Sequence, residues 1–139
     1  MYSLNEKLLA ETQKKLKRGK TLDPKSLAEL RGKFGEKLDR ALKAFEDGHV
    51  KKYTFKPSKR QVWIVVGRTR DYQVIPRLFC MCDDFYLNVV VRGSDPLCYH
   101  ILAQMIAEVT QKFDKIEERD QKYELFMREW SSPTEEQPT

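Results

Sequence analysis

Every cysteine in the chain, and one of its two histidines, falls within the stretch from Cys80 to His100. The run Phe79-Cys80-Met81-Cys82 is followed by fifteen residues and then Cys98-Tyr99-His100-Ile101-Leu102-Ala103. Three thiolates and one imidazole at this spacing make a full four-ligand tetrahedral shell for one structural zinc ion, Zn2+, with no position left for water or substrate. In an extended chain Cys80 and Cys82 point to one face and Met81 to the other. Within a regular helix residues two apart point to nearly opposite sides, so Cys98 is expected just before a helix start and His100 in its first turn. Ile101, Leu102, Met105, Ile106, Val109 and Phe113 then recur at helical spacing. Ala103, one turn beyond His100, lets that helix approach a metal-bearing sheet closely.

The competing explanation is that the cysteines are small buried apolar residues. They cannot all pair as disulfides within one chain, because their number is odd. Against the apolar explanation, no cysteine lies outside the pattern and the histidine follows the last one at a distance of two.

Cys-x-Cys, a variable gap and Cys-x-His resemble the signature of the SWIM zinc finger. Tyr72 and Val74 on a preceding strand, Phe85 after the first pair and His100-Ile101-Leu102-Ala103 at the helix start are similar to SWIM positions, over roughly residues 60 to 112. Gly93-Ser94-Asp95-Pro96-Leu97 departs from the many members with a glycine nearer the third cysteine. The extended form Cys-x-His-x-x-Ala resembles the branch found in Shu-type recombination complexes, which partner paralogues of the RecA-type recombinase. The resemblance implies zinc at Cys80, Cys82, Cys98 and His100, and a role in DNA binding or protein contact.

Elsewhere the pattern predicts an α+β fold: a small antiparallel β-meander with a zinc knuckle, flanked by two N-terminal helices and a long C-terminal helix. Leu4, Leu8, Leu9 and Leu16 mark a first helix over residues 3–18. Asp23-Pro24 opens a second, with an N-cap and a proline at the first helical position. Leu27, Leu30, Phe34, Leu38, Leu42 and Phe45 carry it to about Asp47, with Gly48 as the stop. Strands are expected at Val50–Lys56, Gln61–Val66, Tyr72–Cys80 (with an edge or bulge at Pro76) and Phe85–Arg92. The last helix is expected from Tyr99 to Trp130. This divides the chain into a basic helical region (1–49), a SWIM-like core (50–112), a charged helical extension (113–130) and a disordered tail (131–139).

Charge is segregated along the chain. Residues 1–60 hold 17 Lys/Arg against 8 Asp/Glu, residues 61–112 are balanced, and residues 113–139 carry a net −4. Cations interleaved with aromatics are what a single-strand binder uses, charge for phosphate and rings for bases. Lys14, Lys15, Lys17, Arg18, Lys51, Lys52, Arg60, Arg68 and Arg70 are therefore the candidate contacts to DNA or RNA. A solvated, heat-adapted surface would give the same composition.

A catalytic constellation is lacking. A zinc with four protein ligands does not readily activate water. His49 lies at a helix exit, and Asp83 and Asp84 face opposite ways on a strand. The expectation is a non-catalytic zinc protein that binds nucleic acid in DNA repair or recombination, and not an enzyme. The alternative is an interaction subunit that docks a recombinase-like protein and binds DNA poorly alone. No small-molecule substrate and no membrane partner are expected: no apolar run reaches 18 residues and the N-terminus has no signal-peptide core. Thiolate ligands imply a reducing, cytoplasmic setting.

Overall fold

The computed structural model describes residues 24–67, 70–76, 79–80 and 98–131. The expected first helix (3–18), the strand Phe85–Arg92 and the tail beyond Ser131 lie outside the described residues. Among the described residues the order is α1 (Pro24–Phe34), α2 (Glu36–Glu46), β1 (Val50–Lys56), β2 (Arg60–Val66), β3 (Asp71–Ile75), β4 (Phe79–Cys80), α3 (Tyr99–Thr110), β5 (Asp114–Arg119), a 3-10 turn (Asp120–Lys122) and α4 (Tyr123–Ser131). The fold is mixed α+β, and its first four strands form the expected antiparallel meander.

The helical pattern from Pro24 to Asp47 folds as two helices. Gly35, at φ 58°, separates them, in the left-handed region that glycine enters without steric penalty. Gly48, at φ 74°, stops the second helix as expected. The stretch Tyr72–Cys80 likewise divides near Pro76, and β3 and β4 pair as a hairpin with Val74 opposite Cys80. Proline has no N–H to give to a ladder, so the strand turns there.

The expected helix from Tyr99 to Trp130 differs most. It ends at Gln111, a left-handed C-cap at φ 59° whose N–H donates to the Ala107 and Glu108 carbonyls. The chain then runs as β5, parallel to β1, with Lys51 opposite Asp114 and Tyr53 opposite Ile116. Phe113 packs at 4.7 Å on Trp63, on the face opposite the one Ile116 shares with Tyr53. Strand alternation sends these two apolar residues to opposite faces; their helical spacing arises only by coincidence of the three-residue interval. Ladder hydrogen bonds to β1 outweigh the local helical pattern.

The sheet, ordered β4-β3-β2-β1-β5, separates two apolar clusters. On one face Val50, Trp63, Val65, Val74 and Cys80 pack with α1, α2 and a nearly all-buried α3. On the other, Phe55, Val62 and Ile64 meet Trp130, Tyr123, Phe126 and Met127 of α4. Tyr53 joins this second cluster, with its ring centre 5.6 Å from Phe126 and 4.9 Å from Trp130. Ser58 donates from its N–H and its hydroxyl to the Asp120 carboxylate, at 2.9 and 2.7 Å, fixing the turn that leads into α4.

Burial holds the Tyr53 phenol above its ordinary 10.0, and the carboxylates of Asp71, Glu118 and Glu129 push the same way. Its stabilising contribution is thus full below pH 10, where folded and unfolded states are both protonated. It is lost as pH rises through the folded value, because the unfolded phenol ionises first. Tyr53→Phe should therefore flatten the loss of stability above pH 10 while keeping the ring packing. Urea midpoints of the two proteins from pH 8 to 11 check this, and parallel curves would contradict it.

Candidate metal centre

Three of the four expected ligands meet at the join between the meander and α3. Cys80 lies on β4 and faces the helix-covered side with its partner Val74. Cys98 is the N-cap of α3, extended at φ −97° and ψ 169°, and its carbonyl accepts from the Leu102 N–H at 3.4 Å. His100 follows in the first turn. The two residues meet Cys80 from one side because the first is not yet helical, as their spacing required. The candidate donor atoms of Cys80, Cys98 and His100 all lie within 4.8 Å of one another. Cys82 lies outside the described residues.

All three are buried, His100 at 4 % exposure and the cysteines at 1 % or less. Among the described residues neither ring nitrogen of His100 has a hydrogen-bond partner. A buried polar atom left so costs about 1–3 kcal/mol, and native interiors rarely tolerate it. A metal ion bound to one nitrogen removes much of that cost. Ligand sulfurs on a tetrahedral zinc at Zn–S ~2.3 Å stand about 3.8 Å apart, so the cluster needs to close by at most about 1 Å. Two thiol sulfurs and an imidazole are also the donor set zinc favours over magnesium or calcium. The residues present fit the ion. Cys98 additionally sits at the positive end of the α3 dipole, which favours a thiolate.

Aromatic rings close around the imidazole. The Tyr72 ring centre lies 4.6 Å from that of His100, and the Tyr99 ring centre 4.0 Å. Tyr99 carried no sequence signal beyond its place between two ligands. Gln104, one turn after His100, is fully buried with its Oε1 unpartnered and its Nε2 donating to Glu108 at 3.0 Å. A polar residue in the middle of an apolar helix was the available sign of it.

The basic candidates divide differently. Lys14, Lys15, Lys17, Arg18 and Arg68 lie outside the described residues. Lys51 and Lys52 are neighbours on β1 and so face opposite sides of the sheet. The Lys52 ammonium stands 5.4 Å from the Trp63 ring and 5.9 Å from Phe113. The Arg60 guanidinium lies 4.7 Å from the Tyr123 ring. Arg70 donates to the Trp130 carbonyl at 3.0 Å. These four cations do not line one groove.

No family model matches the sequence, and no solved structure matches it. The chain is similar to an uncharacterised protein of Archaeoglobus fulgidus, 33% identical over 84 residues, covering 60% of this chain and 65% of that protein. It thus spans just under two thirds of that relative. It is also similar to a protein of Dictyostelium discoideum named zinc finger SWIM domain-containing protein 7 homolog. That match is 26% identical over 106 residues, covering 75% of this chain and 68% of the other.

Removal of the metal should cost much of the fold, since Cys80 and Cys98 tie a two-residue strand to α3 and metal-binding energy is folding energy at such a site. Cys98→Ser, or a strong chelator on the unmodified chain, is expected to lower the melting temperature by more than about 10 °C, equivalent to several kcal/mol. Thermal melts with metal content assayed in parallel check this. An unchanged melt after verified metal removal would contradict it.

Proposed function

We propose that the chain is a non-catalytic, SWIM-like zinc protein acting in DNA repair or recombination, and that it works there by docking a protein partner. Support for zinc comes from the buried Cys80–Cys98–His100 cluster with its unpartnered imidazole, and from likeness to a protein that bears the SWIM name. With Cys82 as fourth ligand the ion has no open position, which leaves it a structural part. Thiolate ligation also favours a reducing, intracellular compartment. Among the described residues no helix is long and apolar enough to cross a membrane.

One observation favours protein contact over nucleic acid: among the described residues, part of the basic front and part of the acidic tail lie side by side. The mixed-charge strand β5, with Asp114, Glu117 and Glu118 beside Lys115 and Arg119, lies next to the basic strand β1, Lys51 opposite Asp114 and Lys52 opposite Lys115. Lys56 pairs with Glu117 at 3.0 Å. A phosphate approaching β1 therefore meets carboxylates as well as ammonium groups. Leu125 on α4 and Ile75 on β3 offer exposed apolar side chains, at 53% and 42% exposure. The resemblance at Cys98-Tyr99-His100-Ile101-Leu102-Ala103 makes a RecA-type recombinase paralogue the partner of choice.

The second reading, direct binding of DNA or RNA, rests on the excess of 17 Lys/Arg over 8 Asp/Glu in residues 1–60. It would rely mainly on Lys14, Lys15, Lys17, Arg18 and Arg68, joined by Lys51 and Arg60.

Co-expression with the recombinase paralogue of the same organism decides between them. A stoichiometric complex is expected, weakened at least about tenfold by Leu125→Glu, which is 1.4 kcal/mol or more. The chain alone should bind single-stranded DNA poorly at physiological salt. Tight binding by the chain alone would reverse the reading. Its log affinity would then fall with log salt by about 0.7–0.9 per phosphate, and Lys14, Lys15, Lys17 and Arg18 to Glu would abolish it.

A further inference from the structure

Arg70 stands where the two faces of the sheet come together. Its Nη2 donates to the Trp130 carbonyl near the C-terminal end of α4, which covers one face. Its guanidinium carbon lies 5.3 Å from the centre of the Tyr72 ring, and Tyr72 belongs with the cluster on the other face. That ring in turn lies 4.6 Å from His100. Gly67 leaves the space that this needs. A Cβ there would overlap the edge of the Tyr72 ring and approach the Arg70 carbonyl oxygen to 2.6 Å. The Gly67 N–H donates to that same carbonyl at 2.9 Å, closing the β2–β3 connection against the ring.

Metal-bound histidines usually have their second nitrogen held by a carboxylate, a carbonyl or water, which fixes the plane of the ring. Among the described residues His100 has no such hydrogen bond to either nitrogen. Its orientation rests on the rings that flank it, and the Tyr72 ring is in turn held by Gly67 and Arg70.

We propose that Arg70 and Tyr72 are positioning residues for the metal ligand His100, through which metal binding on one face of the sheet and docking of α4 on the other stabilise each other. The proposal rests on the zinc reading and assigns Arg70 to the fold where the sequence suggested a phosphate contact. The coupling is reciprocal: whatever loosens α4 weakens the metal, and the bound metal protects α4. α4 carries Leu125, so the same link ties the metal to the surface offered to a partner.

The test uses the full chain purified with zinc, and reads zinc affinity by competition with a chromophoric chelator. Arg70→Ala and Tyr72→Leu should each weaken zinc binding by about 10–100-fold, the range for lost support of a metal ligand. Tyr72→Phe keeps the ring and should bind like the parent. Phe126→Ala, on α4 and remote from the ligands, should weaken zinc in the parent but add little in the Arg70→Ala background. Leu38→Ala, a core change in α2, should lower the melting temperature without altering zinc affinity. Amide exchange over residues 124–131 should quicken in zinc-loaded Arg70→Ala.

Parent-like zinc affinity in Arg70→Ala and Tyr72→Leu would overturn the proposal, as would an equal loss in Leu38→Ala. If Arg70→Ala does not fold, Tyr72→Leu and Gly67→Ala decide by the same reading. A parent chain that purifies folded without zinc would overturn the zinc reading together with this one, whereas a zinc-loaded parent with indifferent variants overturns this one alone.

Discussion

A buried imidazole with neither nitrogen hydrogen-bonded among the described residues is the constraint on which the rest of this structure depends. His100 is 4 % exposed and lies in the first turn of α3, where residues 100–107 are all buried. Left to itself it would be a liability of about 1–3 kcal/mol. With the sulfurs of Cys80 and Cys98 within 4.8 Å it becomes one corner of a candidate metal site. That site joins the far edge of a short meander to the start of the helix that covers it. β4, two residues long, is the last strand of the sheet among the described residues.

The two sides of the sheet differ in kind. The α3 side is aliphatic, continuous with α1 and α2, and contains the candidate metal centre. The α4 side is aromatic and smaller: Tyr53 and Phe126 each meet the other, Phe55 and Trp130 in stacked, tilted or edge-on contacts with ring centres 4.9–6.3 Å apart. Arg70 bridges the two. A nine-residue helix is too short to be stable by itself, so α4 depends on this packing, on the Arg70 bond to its last turn and on the Ser58–Asp120 contact at its start.

The sequence was most legible where chemistry and periodicity coincided. Cys98 before the helix and His100 in its first turn follow from the impossibility of placing both on one helical face. The stop at Gly48 and the strands β1 and β2 follow from glycine and from β-branched runs. Legibility failed where a long-range partner decided. Phe113, Ile116 and Tyr123 fit a helix, yet β1 offered an open edge and residues 114–119 took it. The charge pattern was legible only as composition: the sequence does not show that β5 brings Asp114, Glu117 and Glu118 beside the lysines of β1. For Arg70 the sequence shows the cation and not the Trp130 carbonyl to which it donates. Gly67 marks the β2–β3 hairpin connection in the sequence, but no motif shows that it also leaves room for a ring five residues away.

The central claim is that one zinc ion is held by this sulfur-rich cluster, and X-ray absorption at the zinc edge tests it most directly. On the purified chain the account predicts one equivalent of zinc with a first shell of three sulfurs near ~2.3 Å and one nitrogen near ~2.0–2.1 Å. Substitution of His100 should replace the nitrogen contribution and leave the sulfurs. A shell of oxygen and nitrogen alone, or folded protein with Cys80 and Cys98 as free thiols and no bound metal, would contradict the account.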